Sequence, residues 1–119
     1  MSSQISRIEA LKCTPIKNVH VKETRLENGA VLLTYPVAMR PWITGLIRRF
    51  GGHSERTFTR KLQLDDLGTH VWDLIDGINT VQKVIQRFAE KYQFHLKEAE
   101  VSVTRFLREL GRRGIIGLQ

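Results

Sequence analysis

The second half of the chain, from Leu64 to Leu118, has the apolar spacing of three consecutive short helices. The apolar residues of the three stripes are, in order, Leu67, Val71, Trp72, Leu74, Ile75 and Ile78; Val81, Val84, Ile85, Phe88 and Tyr92; and Ala99, Val103, Phe106, Leu107 and Leu110. Steps of three and four residues place these side chains on one face of each helix. We therefore predict helices over 66–76, 80–93 and 97–112, with Trp72 and Phe88 at the centre of their shared core.

The connections between these helices carry the residues that helix ends prefer. Asp65 or Asp66 can cap the first helix, and Thr80 can cap the second, because their side-chain oxygens accept from free backbone N–H groups. Gly77 can follow the first helix in the left-handed backbone conformation. Two tight connections therefore join the three helices.

The first half of the chain predicts an antiparallel sheet. Residues 19–26 and 30–37 are rich in strand-forming residues, and Asn28-Gly29 between them is typical of a type I′ hairpin turn. Residues 57–64 predict a third strand. Residues 1–14 are interpreted as a tail with a helical turn over Ile5, Ile8 and Leu11, and residues 15–119 as one domain.

The segment from Met39 to Phe50 predicts an additional amphipathic helix between the second and third strands. Its apolar residues are Met39, Trp42, Ile43, Leu46, Ile47 and Phe50, with Pro41 in the first turn. The first interpretation is that this helix packs on the sheet or covers one of its edges. The alternative is a helix that lies on a membrane surface or binds a partner, and so makes the chain a membrane-surface or scaffold protein.

Composition narrows the class of protein. A single cysteine, Cys13, allows no internal disulfide and favours a reducing, cytoplasmic location. No apolar run is long enough to span a membrane. The net charge of +7 is spread along the chain without a long basic run, so we interpret it mainly as solvated surface.

Motifs for catalysis are missing from the sequence. The four histidines are scattered, without metal-ligand spacing, and the glycines form no phosphate-binding motif. Asp65 and Asp66 suit a helix start, while Asp73 and Asp76 are expected on the solvent side of the first helix. We therefore predict a binding module that is not an enzyme and needs no metal or cofactor.

The same residues resemble the PqqD family of small peptide-binding proteins. The segments that carry the resemblance are LDDLG at 64–68, VWDLIDG at 71–77, TV at 80–81 and FLREL at 106–110 followed by GII at 114–116. The resemblance implies an α+β fold that is winged helix-turn-helix-like, with a three-stranded antiparallel sheet followed by a three-helix bundle. It also implies a non-catalytic carrier that presents the leader segment of a ribosomally made precursor peptide to a modifying enzyme, a radical SAM enzyme or another.

In that family the leader adds as a strand to the third strand of the sheet and lies against the third helix. The matching positions here are Phe58, Thr59, Arg60, Lys61, Leu62 and Gln63 on the strand, and Val101, Thr104, Arg105 and Arg108 on the helix. Backbone pairing supplies affinity, and apolar pockets for alternate guest side chains supply specificity. The arginines and Lys61 would suit an acidic leader.

A winged-helix DNA-binding protein is the alternative that shares this plan. Its recognition helix usually presents polar or basic residues near its N-terminal end. Here the third predicted helix begins with Lys97-Glu98-Ala99-Glu100, and its two glutamates would repel phosphate. We therefore expect no specific nucleic acid partner.

Overall fold

The computed structural model describes residues 6–37 and 58–119, and the predicted Met39–Phe50 helix lies outside these residues. The elements are, in order, α1 (Arg7–Lys12), β1 (Pro15–Lys17), β2 (Lys22–Arg25), β3 (Val31–Pro36), β4 (Thr59–Gln63), α2 (Asp66–Leu74), α3 (Val81–Tyr92), α4 (Leu96–Arg112) and β5 (Ile116–Leu118). The described part of the chain is therefore α+β, with four helices and antiparallel sheets.

The main sheet has the order β2-β3-β4, and both pairs of strands are antiparallel, as the sequence predicts. β2 begins only at Lys22, because a turn precedes it in which the Val21 N–H donates to the Asn18 carbonyl. The predicted type I′ turn is wrong. That turn needs positive φ at both central residues, and only Gly29 has it, at +85°, while the Asn28 side chain accepts from the Ala30 N–H.

A second sheet joins the two ends of the described chain and is not predicted by the sequence. β1 pairs with β5, and Thr14 and Gln119 exchange backbone hydrogen bonds of 2.8 and 3.0 Å. α1 precedes this sheet and holds Ile8 and Leu11 of the predicted helical turn, whose Ile5 lies outside the described residues. The Arg7 guanidinium donates to both carboxylate oxygens of Glu100 on α4, so the ion pair fixes α1 to the helical part of the protein.

α2 and α3 begin where the caps predict, and α2 ends earlier than predicted. Asp65 Oδ1 accepts from the Gly68 N–H at 2.7 Å, and Thr80 Oγ1 accepts from the Lys83 N–H at 3.2 Å. After Leu74 the Asp76 carboxylate accepts from the backbone N–H groups of the turn, and the Asn79 amide donates to the Leu74 carbonyl. These local hydrogen bonds compete with a further helical turn, so Gly77, at φ +80°, lies in the turn instead of directly after the helix.

The core lies between the inner face of the main sheet and the three helices α2, α3 and α4. Trp72 and Phe88 are each 1% exposed, which confirms their predicted central position. The inner face of β3 contributes Val31, Leu33 and Tyr35. Two apolar residues of the predicted stripes are instead exposed, Leu67 in the first turn of α2 and Ile78 in the turn beyond its end. The burial of the remaining apolar side chains makes the largest favourable contribution to the free energy of folding.

Because of His70 on α2, we predict that the folded protein is less stable in mild acid. Its Nε2 is buried without a hydrogen-bond partner among the described residues, beside the rings of Phe88 and Tyr92. Burial, and next the charge of Lys91, lower the pKa of His70 below its ordinary value, against a smaller opposing effect of Asp73. The unfolded chain therefore binds a proton more readily, and the free energy of unfolding decreases as pH falls through about 6.5.

We expect the substitution His70→Leu to reduce this pH dependence, and the same change at the exposed His20 to leave it as in the parent protein. Denaturant unfolding at about pH 7.5 and about pH 5.5, on either side of the ordinary histidine pKa, measures it. An unchanged difference between the two pH values in His70→Leu would show that other groups cause it.

Candidate functional site

The outer edge of β4 carries unpaired backbone groups. β4 pairs only with β3 among the described strands. The Leu64 N–H donates to the Val31 carbonyl, and the Val37 N–H donates to the Phe58 carbonyl, both at 2.8 Å. Hydrogen-bonded pairs alternate along an antiparallel ladder, so the register puts the bonds to β3 at every second residue from Phe58 to Leu64. The N–H and C=O groups of Thr59, Lys61 and Gln63 therefore point away from the sheet.

The side chains of β4 divide between the two faces of the sheet. Arg60 and Leu62 lie opposite Tyr35 and Leu33, on the face that packs against the helices. Thr59, Lys61 and Gln63 lie on the other face and are exposed, and Phe58 before them is 50% exposed. Five of the six predicted strand positions therefore form the edge strand β4, and the sixth, Phe58, directly precedes it.

Two openings combine residues of α4 with a residue of β4 or of the segment that follows it, a cleft of ≈ 670 Å³ and a pocket of ≈ 170 Å³. Arg60 and Glu109 both line the cleft, while Asp65 lines the pocket together with Ser102 and Phe106. Arg113, directly after α4, also lines the cleft, and its guanidinium donates to the Tyr35 hydroxyl at 2.6 Å.

The strand and this helix face have matching lengths. From Arg60 to Asp65 the extended chain of β4 and the two residues after it covers about 17 Å at about 3.4 Å per residue. From Ser102 to Arg113 the helix covers about 16 Å at about 1.5 Å per residue. We call these two openings, together with the outer edge of β4, the β4–α4 groove. On the helix side it is bounded by Ser102, Phe106 and Glu109 of α4 and by Arg113 directly after α4. Its length suits about five extended residues.

The pocket at the Asp65 end of the groove is apolar. Leu67, Val71, Phe88 and Phe106 line it, together with Gly68. A Cβ atom at Gly68 would lie 3.1 Å from Phe106 Cε1, closer than ordinary van der Waals contact. Because residue 68 is glycine, α4 can approach the start of α2 this closely. The apolar lining of the pocket suits an apolar side chain.

The cleft at the Arg60 end of the groove is basic. Glu109 accepts from Arg113 at 3.1 Å and lies 3.7 Å from Arg112. Two positive charges therefore lie beside its single negative charge. The hydrogen bond with Tyr35 raises the pKa of Arg113 above its ordinary value, and Glu109 makes a smaller contribution in the same direction. Arg60 has no ion pair among the described residues, so this end favours a negatively charged group.

The four predicted helix positions lie on the solvent side of α4, and none of them lines the cleft or the pocket of the β4–α4 groove. Thr104 and Arg108 line a different cleft, between α4, α1 and β5, and the Thr104 hydroxyl donates to the Glu100 carbonyl at 2.7 Å. Val101 and Arg105 are exposed, and Arg105 lies beside Phe106 at the rim of the groove. The sequence assigned Phe106 to the core stripe and passed over Ser102 and Glu109, which are polar residues without a motif.

The described residues offer neither a cluster of metal ligands nor a membrane-spanning helix. No group of three or more His, Cys, Asp or Glu side chains within 6–37 and 58–119 is arranged to hold a metal ion. No helix in the described ranges is long and apolar enough to cross a membrane.

Comparison with known families identifies the chain. The family model for coenzyme PQQ synthesis protein D (PqqD) matches residues 54–116, which is more than half of the sequence. The chain belongs to the PqqD family. No curated protein matches it, and no solved structure does. The matched residues include β4 and α2 to α4, and hence both walls of the β4–α4 groove, whereas α1 and β1 lie outside them.

The PqqD family takes part in the biosynthesis of PQQ and of other ribosomally made peptide products. Its members are non-catalytic accessory proteins that bind a precursor peptide and work with biosynthetic enzymes. The general role of this protein is therefore that of a peptide-binding accessory protein.

Proposed function

We propose that this protein binds the leader segment of a ribosomally made precursor peptide in the β4–α4 groove and presents it to a modifying enzyme of the radical SAM type. The observation that carries the proposal is the unpaired outer edge of β4, which lies beside α4 within the family-matched residues. The order of β2, β3, β4 and the following three helices fits a winged helix-turn-helix-like plan.

Backbone pairing supplies the affinity in this proposal. The N–H and C=O groups of Thr59, Lys61 and Gln63 bond to the backbone of a guest strand, as in other cases of strand addition. Each such hydrogen bond contributes a net 0.5–1.5 kcal/mol as a rough estimate. This contribution depends little on the guest sequence.

Side-chain recognition supplies the specificity. The apolar pocket beside Leu67 and Phe106 takes an apolar guest side chain, and the basic cleft beside Arg60 takes an acidic one. The guest side chains that enter the two openings both point towards α4, so we expect them to be an even number of positions apart in the guest. The opposite face of the guest is then left exposed to the enzyme.

A titration of ¹⁵N-labelled protein with the precursor peptide of the same gene cluster tests the proposal. We expect the amide signals of Thr59, Lys61 and Gln63 to shift together with those of Ser102 and Phe106. A peptide in which the apolar or the acidic leader residue is replaced by serine should bind more weakly and shift the same signals. Shifts confined to β1, β2 or α1, with β4 unchanged, would place the binding site elsewhere and refute the proposal.

A further inference from the structure

A line of exposed cations follows the solvent side of α4. Its members are Lys97, Arg105, Arg108 and Arg112, together with Val101, which is 50% exposed. Successive members are three or four residues apart, so they lie on one side of the helix over about 22 Å. We call these five residues the basic stripe.

The basic stripe is distinct from the surfaces that α4 uses within the protein. Ala99, Val103 and Leu110 are buried in the core. Ser102 and Phe106 line the apolar pocket of the β4–α4 groove. The helical period places the basic stripe opposite the core residues, with Arg105 and Arg112 at the border of the groove and Lys97 and Arg108 further from it.

Helix stability alone does not account for the basic stripe. Lys97 lies in the first turn, where the helix dipole disfavours a positive charge, and only Arg112 lies in the last turn, where the dipole favours one. Arg108 has a like charge three residues before it and another four residues after it, which destabilises a helix.

The acidic residues of α4 do not neutralise the stripe. Glu100 is paired with Arg7, and Glu109 is shared by Arg112 and Arg113. Within the described ranges, Lys97, Arg105 and Arg108 have no carboxylate oxygen within 4.0 Å. Their charges are therefore available to an acidic partner.

We propose that the basic stripe docks an acidic amphipathic helix of a partner protein. The partner helix carries carboxylates at the same three- and four-residue spacing and one apolar residue that contacts Val101. Such a surface matches the stripe in length, charge and period, and complementary charge steers and orients the encounter. This proposal does not depend on leader binding in the β4–α4 groove.

A protein partner fits the stripe better than a nucleic acid does. Val101 lies in the middle of the line, where it offers an apolar contact and nothing to a phosphate. Glu98 is exposed in the first turn of α4, and a carboxylate there repels the phosphate backbone that dominates nucleic acid affinity.

The test uses two synthetic peptides of about 18 residues, long enough to follow the stripe. The first is an alanine-based helix with glutamates and one leucine at the matching spacing, and the second has the same composition in scrambled order. A duplex DNA of about 20 base pairs is the third probe. The variant K97E/R108E reverses two charges of the stripe away from the groove, and K83E/R87E on the exposed face of α3 makes the same change in net charge elsewhere.

We expect the patterned helix to bind about tenfold more tightly than the scrambled one, and K97E/R108E to lose about tenfold in affinity while K83E/R87E retains it. Circular dichroism checks that both variants are folded. Leader binding is measured on Lys97→Glu alone, which should retain it, so failure at one site is distinguishable from failure at the other. Equal binding of the two peptides, an equal loss in both variants, or tighter binding of the duplex DNA would overturn the proposal.

Discussion

Truncation of Trp72 to alanine is expected to lower the free energy of unfolding by about 3–5 kcal/mol. Trp72 is 1% exposed in the middle of the core, and its indole N–H donates to Glu23 Oε1 at 2.6 Å. The Lys17 ammonium lies 4.2 Å from the centre of one of its rings. The substitution thus removes apolar packing, a hydrogen bond between α2 and β2, and a cation–π contact together. Domains are stable by only about 5–15 kcal/mol, so equilibrium denaturation should detect a large shift.

Two further variants separate packing from the general effect of a substitution. Trp72→Phe keeps most of the apolar volume but loses the hydrogen bond to Glu23, and it should cost less than the alanine change. Ile78→Ala removes a side chain that is 81% exposed and should change the stability by less than about 0.5 kcal/mol. If Trp72→Ala unfolds at the same denaturant concentration as the parent protein, this account of the core is wrong.

Proline at Lys61 is expected to weaken leader binding while the protein stays folded. The Lys61 N–H points away from β3, so proline there removes a donor to the guest strand and no bond of the sheet. A guest carbonyl left without its donor costs about 1–3 kcal/mol, which corresponds to roughly 5- to 150-fold in Kd. Calorimetric titration with the leader peptide measures the change.

Proline at the neighbouring Leu62 is the matched comparison. The Leu62 N–H belongs to the ladder with β3, so Leu62→Pro should destabilise the fold as well as the complex. Lys61→Ala keeps the N–H and should retain most of the affinity. Leader affinity equal to that of the parent protein in a folded Lys61→Pro variant would show that the guest does not pair with β4.

The helical half of the fold could be predicted because its information is local. The apolar period identifies α2, α3 and α4, and the capping residues Asp65 and Thr80 locate the starts of α2 and α3. The early end of α2 was missed, because it depends on how Asp76 and Asn79 bond to the following turn. Such side-chain competition is visible only when the backbone of the turn is known.

The pairing of β1 with β5 could not be predicted from the sequence. Each strand has three residues, too few for an alternating pattern to be distinguished from a loop. Their partners are also separated by almost the whole chain, so no turn residue between them indicates the pairing. Only the folded protein brings Thr14 and Gln119 within hydrogen-bond distance.

At the candidate site, the strand is predictable from the sequence, whereas the side of α4 that lines the two openings depends on the tertiary packing. Residues 58–63 were identifiable as a strand from their β-formers and from the family resemblance, and the register then leaves their outer edge open. The rotation of α4 about its axis depends instead on how closely α4 packs against α2. Gly68 permits that approach, and it brings Ser102 and Phe106 to the groove while Thr104 and Arg108 face α1 and β5. One residue step along a helix turns the side chain by about 100°. A small rotation of α4 would therefore change which of its side chains line the groove. The amino-acid sequence alone does not specify that rotation.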